Sequence, residues 1–260
     1  MKFAGLILDF DGVLLESEYA GNAQLADWLT RSGHPTSVEQ AIDQFMGLSG
    51  LDFVGAVERW IGRALPGDFH GARAEEDARA IAEGVEAVEG AVAFVRGLPP
   101  ELPRAICSSS SSHWIESHLR NIGLDGVFAG MIFSGREHVA RGKPAPDLYL
   151  HAAAAMRVPI ERCAIIEDSP VGVQGALASG ATVIGLVAGS HCRDDHAGRL
   201  RAHGVERIAR NFDEVAALLS RSVRRHPELV SGSRAAPLRR LWVPPGFRGA
   251  STLGPETGSG

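Results

Sequence analysis

Five short apolar runs, at residues 3–8, 105–107, 131–133, 163–166 and 182–187, do most to constrain what this chain can fold into. Each is too short for a buried helix and suits a strand covered on both faces. Helical spacing separates the later four: Trp114, Ile115, His118, Leu119 and Ile122 recur on one face, as do Leu148 and residues 152–156, and residues 171–179 are small enough to pack closely on a sheet. Strand and helix in alternation predict an α/β fold with a doubly wound, parallel, five-stranded Rossmann-like sheet.

Between the first and second runs lie more than seventy residues without a strand pattern, where Leu25, Trp28 and Leu29, then Leu51, Val54, Val57 and Ile61, fall at helical spacing. That exceeds a simple crossover. The expected organisation is an α/β core at 1–15 and 89–220 and a helical cap inserted at 16–88. From residue 221 the pattern gives way to Arg, Pro, Gly and Ser, with five Pro and six Gly in the last forty residues, and 221–260 reads as a disordered tail.

Charge narrows the partners. The net charge is −5, but the tail holds seven Arg against two Glu, so residues 1–220 carry −10 and nucleic acid is disfavoured as a ligand of the body. No apolar stretch reaches the ~20 residues of a membrane helix and the first strand pattern starts at Phe3, so the reading is a cytoplasmic chain without signal peptide or membrane partner. Cys107, Cys163 and Cys192 are odd in number and lack metal-ligand spacing, which fits a reducing compartment. A monomer is the default expectation.

Chemistry concentrates where strands should end. Asp9-Phe10-Asp11-Gly12 follows the first strand, so Asp9 and Asp11 face the same side and Gly12 permits a sharp turn. The second strand runs into five serines, with Ser108 at its carboxyl end and Ser109 following, where hydroxyl and amide donors can hold phosphate. Lys143 opens a stiff Lys-Pro-Ala-Pro-Asp turn, and Lys2 is the only other lysine in the chain, so a mechanism that needs a lysine must use Lys143. The fourth strand ends in Glu167-Asp168-Ser169-Pro170, a second acidic pair. Asp9 and Asp168, on neighbouring strands, can share one Mg²⁺. His191 and His196 flank two acids at a spacing that matches no common metal site, and read as part of a solvated loop or helix face.

In order and in context these four elements resemble the motifs of the haloacid dehalogenase superfamily of Asp-nucleophile phosphotransferases, over about residues 3–219. The helical insert resembles the cap of the subfamily that includes phosphoglycolate phosphatase, β-phosphoglucomutase and 6-phosphogluconate phosphatase. The resemblance implies that Asp9 attacks phosphorus to form an aspartyl phosphate, and that Asp11 protonates the leaving oxygen and then activates water. It implies Mg²⁺ as cofactor, held by the Asp9 carboxylate, the Asp11 backbone carbonyl and Asp168, with Glu167 acting through water. Ser108, Ser109, Lys143 and Gly12 would bind the phosphate of a small phosphate ester.

Within that family, dehalogenases lack an acid at the position of Asp11, and phosphonatases need a cap lysine that residues 3–142 do not contain. A phosphomutase shares the core motifs but carries a cap histidine and a phosphate-binding arginine where Gly21 and Gly50 stand here. The expectation is therefore a Mg²⁺-dependent phosphomonoesterase acting on a sugar phosphate or sugar-acid phosphate, with the mutase and a noncatalytic binding module as alternatives. Glu16, Ser17, Tyr19, Asn22, Ser49 and Arg59 are the candidate hydroxyl contacts.

Overall fold

The computed structural model describes residues 3–48 and 50–220; the expected tail and Ser49 lie outside the described residues. The chain runs β1 (Gly5–Leu8), α1 (Ser17–Arg31), α2 (Val38–Phe45), α3 (Gly50–Ile61), α4 (Phe69–Glu83), α5 (Ala91–Gly97), β2 (Arg104–Ser108), α6 (Ser112–Asn121), β3 (Ile132–Ser134) and α7 (Asp147–Ala155). It continues with β4 (Cys163–Glu167), α8 (Pro170–Ala178), β5 (Thr182–Leu186), α9 (His196–Ala202), β6 (Arg207–Ala209) and α10 (Phe212–Ser220).

All strand pairs are parallel, in the order β3-β2-β1-β4-β5-β6. The sheet has six strands where five were expected. β6 is three residues at the edge, Arg207-Ile208-Ala209, two of them only half-buried, and leaves too little apolar pattern to read.

Strand alternation builds two cores. Leu6, Leu8, Ile106, Ala164 and Ile166 pack on one face with residues of α5, α6 and α10. Ile7, Ala105, Cys107, Cys163 and Ile165 pack on the other with residues of α7, α8 and α9. Each fully buried Leu or Ile contributes about 1.5–3 kcal/mol, which explains why near-continuous apolar runs mark these strands.

The segment between β1 and α5 forms four helices with an apolar cluster of its own, in which Leu25, Trp28, Leu29, Phe45, Val57 and Phe69 are buried. Its two connections to the sheet run side by side. Glu16 N donates to Glu86 O at 2.9 Å and Val88 N to Leu14 O at 3.1 Å. Among the described residues no helix is long and apolar enough to cross a membrane.

Strand order reverses direction between β1 and β4, and in open parallel sheets the crevice beyond the strand ends at such a point is where ligands bind. The β1 end delivers Asp9; the β4 end delivers Glu167 and Asp168.

Candidate active site

Asp9 leaves β1 with its amide bound to Ile166 O at 3.0 Å, which fixes it against the end of β4. Its Oδ1 accepts from Phe10 N at 2.7 Å and lies 2.8 Å from Lys143 Nζ. Lys143 also reaches Glu167 Oε1 at 2.5 Å, and its side chain is almost wholly buried. The ammonium is thus clamped between two carboxylates. Burial alone would lower the Lys143 pKa, but the charges of Asp9 and Glu167 outweigh it and hold the group well above its ordinary range.

Glu167 is saturated by the chain itself. Oε1 accepts from Lys143 Nζ and from Tyr149 Oη at 2.7 Å, while Oε2 accepts from Asp168 N, Ser169 N and Ser169 Oγ at 3.1–3.2 Å. The start of α8 approaches this carboxylate so closely that a side chain at Gly172 would collide with it. Ser169 caps α8 by accepting from Gly172 N at 3.0 Å, with Pro170 in the first turn.

Asp11 is held by four donors. Ser17 Oγ at 2.7 Å and Trp114 Nε1 at 2.9 Å donate to Oδ1; Ser108 Oγ at 3.0 Å and Ser110 Oγ at 2.7 Å donate to Oδ2. Gly12, at φ +75°, lets the chain turn beside Asp168, where a Cβ would strike its carboxylate.

Asp168 is 1% exposed, and neither carboxylate oxygen has a hydrogen-bond partner among the described residues. His191 Nε2 stands 2.8 Å from Oδ2 without the alignment of a hydrogen bond. Burial, then the charge of Glu167, pushes the carboxyl pKa values of Asp9 and Asp168 well above the usual range. Asp9, Glu167 and Asp168 each offer an oxygen within 4.8 Å of the others. With all three carboxyls ionised, one ammonium would leave a buried excess of two negative charges, and the donors are all oxygen. A hard divalent cation such as Mg²⁺ fits both the charge and the unused Asp168 oxygens.

The sequence-predicted residues therefore converge: Asp9, Asp11, Ser108, Ser109 and Lys143 all line one cleft of about 530 Å³, with Asp168 and Glu167 beneath it. Trp114, read only as an apolar helix position, and Ser110, one of the five serines but given no role of its own, were missed from the sequence. Sequence reasoning also placed His191 and His196 in solvent. Both are 2% exposed, and His196 Nε2 meets Asp168 O at 2.6 Å.

Of the candidate hydroxyl contacts, Ser17 and Asn22 line the cleft. Glu16 instead accepts from Ser190 N and Oγ at 2.8 and 2.6 Å, and Tyr19 is exposed. Arg59 is not among the lining residues. Glu18 also lines the cleft, its carboxyl pushed up to about 8 by burial and by the charges of Asp168 and Asp11.

The model of the haloacid dehalogenase-like hydrolases matches residues 3–180. The 6-phosphogluconate phosphatase of Escherichia coli is 27% identical over 192 residues, covering 73% of this chain and 85% of that protein. Hexitol phosphatase A of the same organism is 29% identical over 191 residues, with coverage of 72% and 85%. Among solved structures, the conserved haloacid dehalogenase-like protein ATU0790 of Agrobacterium tumefaciens superposes with a TM-score of 0.74 at 32% identity, over 84% of this chain and 97% of that one. A family model that matches residues 3–180, most of the described chain, places this protein among the haloacid dehalogenase-like hydrolases.

Proposed function

We propose that the protein is a Mg²⁺-dependent phosphomonoesterase that hydrolyses a small phosphorylated sugar or sugar acid through an aspartyl phosphate on Asp9. The observation that carries this reading is the pairing of Asp9 with Lys143 and of Asp11 with Ser108 in one cleft. A nucleophile and a proton-transfer group then line one cleft, each with its own cation or hydroxyl donor.

In the first step an Asp9 carboxylate oxygen attacks phosphorus, and the bond from phosphorus to the ester oxygen breaks. Asp11 gives its proton to that leaving oxygen. In the second step Asp11 takes a proton from water as the water attacks phosphorus, the acyl-phosphate bond breaks and Asp9 is regenerated. Lys143 and Ser108 offset charge on the phosphoryl oxygens. Mg²⁺ would be held by the Asp9 and Asp168 carboxylates and the Asp11 backbone carbonyl, and supplies the positive charge that lets an anionic nucleophile approach an anionic ester. Glu167, filled by donors from the chain, orients Lys143 and the Asp168 loop.

The leaving group faces a polar wall of Glu18, Asn22, His70, Arg73, Asp77 and Arg136, which suits a hydroxylated carbon chain. The activities named for the two E. coli relatives, on 6-phosphogluconate and on hexitol phosphates, agree with that chemistry. Gly21 and Gly50 line the same cleft and bring no side chain with which to retain a phosphorylated intermediate, which favours hydrolysis over mutase chemistry.

The test is phosphate release with Mg²⁺ across sugar phosphates, sugar-acid phosphates, short acid phosphates and nucleotides, beside a coupled assay for conversion of β-glucose 1-phosphate to glucose 6-phosphate. Release from sugar or sugar-acid phosphates supports the proposal. Isomerisation without release supports the mutase, and silence throughout a binding module.

A further inference from the structure

His191, Cys192 and His196 stand in the loop after β5 and at the start of α9, and each offers one ligand atom within 4.8 Å of the other two. Cys192 Sγ is 3.3 Å from His191 Nε2. The other two cysteines are fully buried within strands β2 and β4, so Cys192 is the one loop thiol among the described residues.

Two adjacent imidazoles, each 2% exposed, cost desolvation unless their nitrogens are used. His196 Nε2 meets the backbone oxygen of Asp168 at 2.6 Å, while His191 Nε2 lies 3.3 Å from Cys192 Sγ and 2.8 Å from Asp168 Oδ2, the latter without hydrogen-bond alignment. The other His191 nitrogen, Nδ1, is buried without a hydrogen-bond partner among the described residues. His196 is held as metal-ligating imidazoles characteristically are, with one nitrogen on a carbonyl, and His191 presents Nε2 beside the Cys192 sulfur.

Two imidazole nitrogens and a sulfur make a softer donor set than the all-oxygen cluster of Asp9, Glu167 and Asp168. The first suits Zn²⁺ and its relatives and the second Mg²⁺. We propose that His191, Cys192 and His196 form a second metal site, selective for Zn²⁺-class cations, and that an ion bound there represses the enzyme through Asp168. On binding, the Cys192 S–H bond breaks as the sulfur–metal bond forms, and the proton passes to solvent. The bound dication then sits beside the carboxylate on which Mg²⁺ depends. The binding claim stands without the phosphatase reading; the repression claim rests on it.

The experiment titrates the full-length, metal-free protein with Co²⁺, the spectroscopic stand-in for Zn²⁺. A thiolate-to-cobalt charge-transfer band in the near ultraviolet is expected, reversed by Zn²⁺, absent in Cys192→Ser and retained with altered visible bands in His196→Gln. In parallel, Zn²⁺ inhibition of Mg²⁺-supported phosphate release should need roughly 10-fold more Zn²⁺ in Cys192→Ser than in the wild type. Cys192→Ser itself should keep its turnover in Mg²⁺ alone, which also shows that it folds. Cobalt binding without the thiolate band, or a band that survives in Cys192→Ser, overturns the site. Equal inhibition of wild type and variant overturns the repression and assigns inhibition to the carboxylate cluster. If no phosphate ester is turned over, the phosphatase reading fails while the cobalt spectrum still decides the site.

Discussion

Trp114 donates its indole N–H to Asp11 Oδ1 at 2.9 Å, so helix α6 reaches across the cleft to hold the carboxylate that the proposed chemistry needs for proton transfer. Trp114→Phe keeps the aromatic bulk and removes that one donor of four. We expect kcat to fall about 10-fold with little change in KM, since general acid–base catalysis depends on aim more than on binding. Steady-state kinetics on the preferred substrate checks this; an equal loss in KM would show that Trp114 binds substrate instead.

Lys143 is buried between Asp9 and Glu167. Lys143→Met leaves both carboxylates without their cation, and breaking a buried pair from one side costs about 3–5 kcal/mol. The variant should be inactive and unfold at markedly lower urea. Lys143→Arg should restore neither property fully, because a planar guanidinium cannot replace a compact ammonium in so tight a site.

Asp168 carries a folding cost that the proposed Mg²⁺ site would explain. Its folded pKa is raised, so its ionised form opposes folding at any pH above the ordinary carboxylate range. Asp168→Asn removes that charge. Without metal, the variant should therefore be more stable than the wild type at neutral pH, on the order of 1 kcal/mol. Its Mg²⁺ affinity by calorimetry should drop at least ~10-fold. A variant that loses stability in the absence of metal would contradict this account.

His118 is fully buried on α6, with neither ring nitrogen hydrogen-bonded among the described residues, and its ring packs edge-on against Trp114. Burial lowers its pKa below the ordinary 6.5. As pH falls through that value the unfolded chain takes up the proton first, so the stability present above it is lost on acidification. His118→Phe should raise stability by about 1 kcal/mol or more and flatten the fall in Tm between about pH 7.5 and about pH 5. An unchanged pH slope would mean that other groups drive the acid transition.

What the sequence made legible was whatever sits at a strand end. Asp9, Ser108 and Glu167-Asp168 each directly follow or close an apolar run, so their place on one rim could be read from strand boundaries alone. Lys143 stood out because the chain uses so little lysine. Trp114, Ser110 and Tyr149 were not legible, because each reaches the site from within or beside a helix whose spacing reports only which side faces the core. His191 and His196 were misread for a related reason. A polar loop rich in Asp and Arg resembles solvent-exposed chain, and only the fold shows it tucked under Asp168. The edge strand β6 escaped notice because three residues carry no periodicity.

Every step proposed for the cleft passes through phosphorylation of Asp9. The most direct measurement is rapid quenching of the Mg²⁺-loaded enzyme during turnover, followed by borohydride reduction and peptide mass spectrometry, with Asp9→Asn and an EDTA-treated sample alongside. Residue 9 should be recovered as homoserine in the wild type only, and phosphate release should vanish in both controls. Phosphate release that persists in Asp9→Asn, or a reduced residue found elsewhere in the chain, would contradict phosphorylation of Asp9.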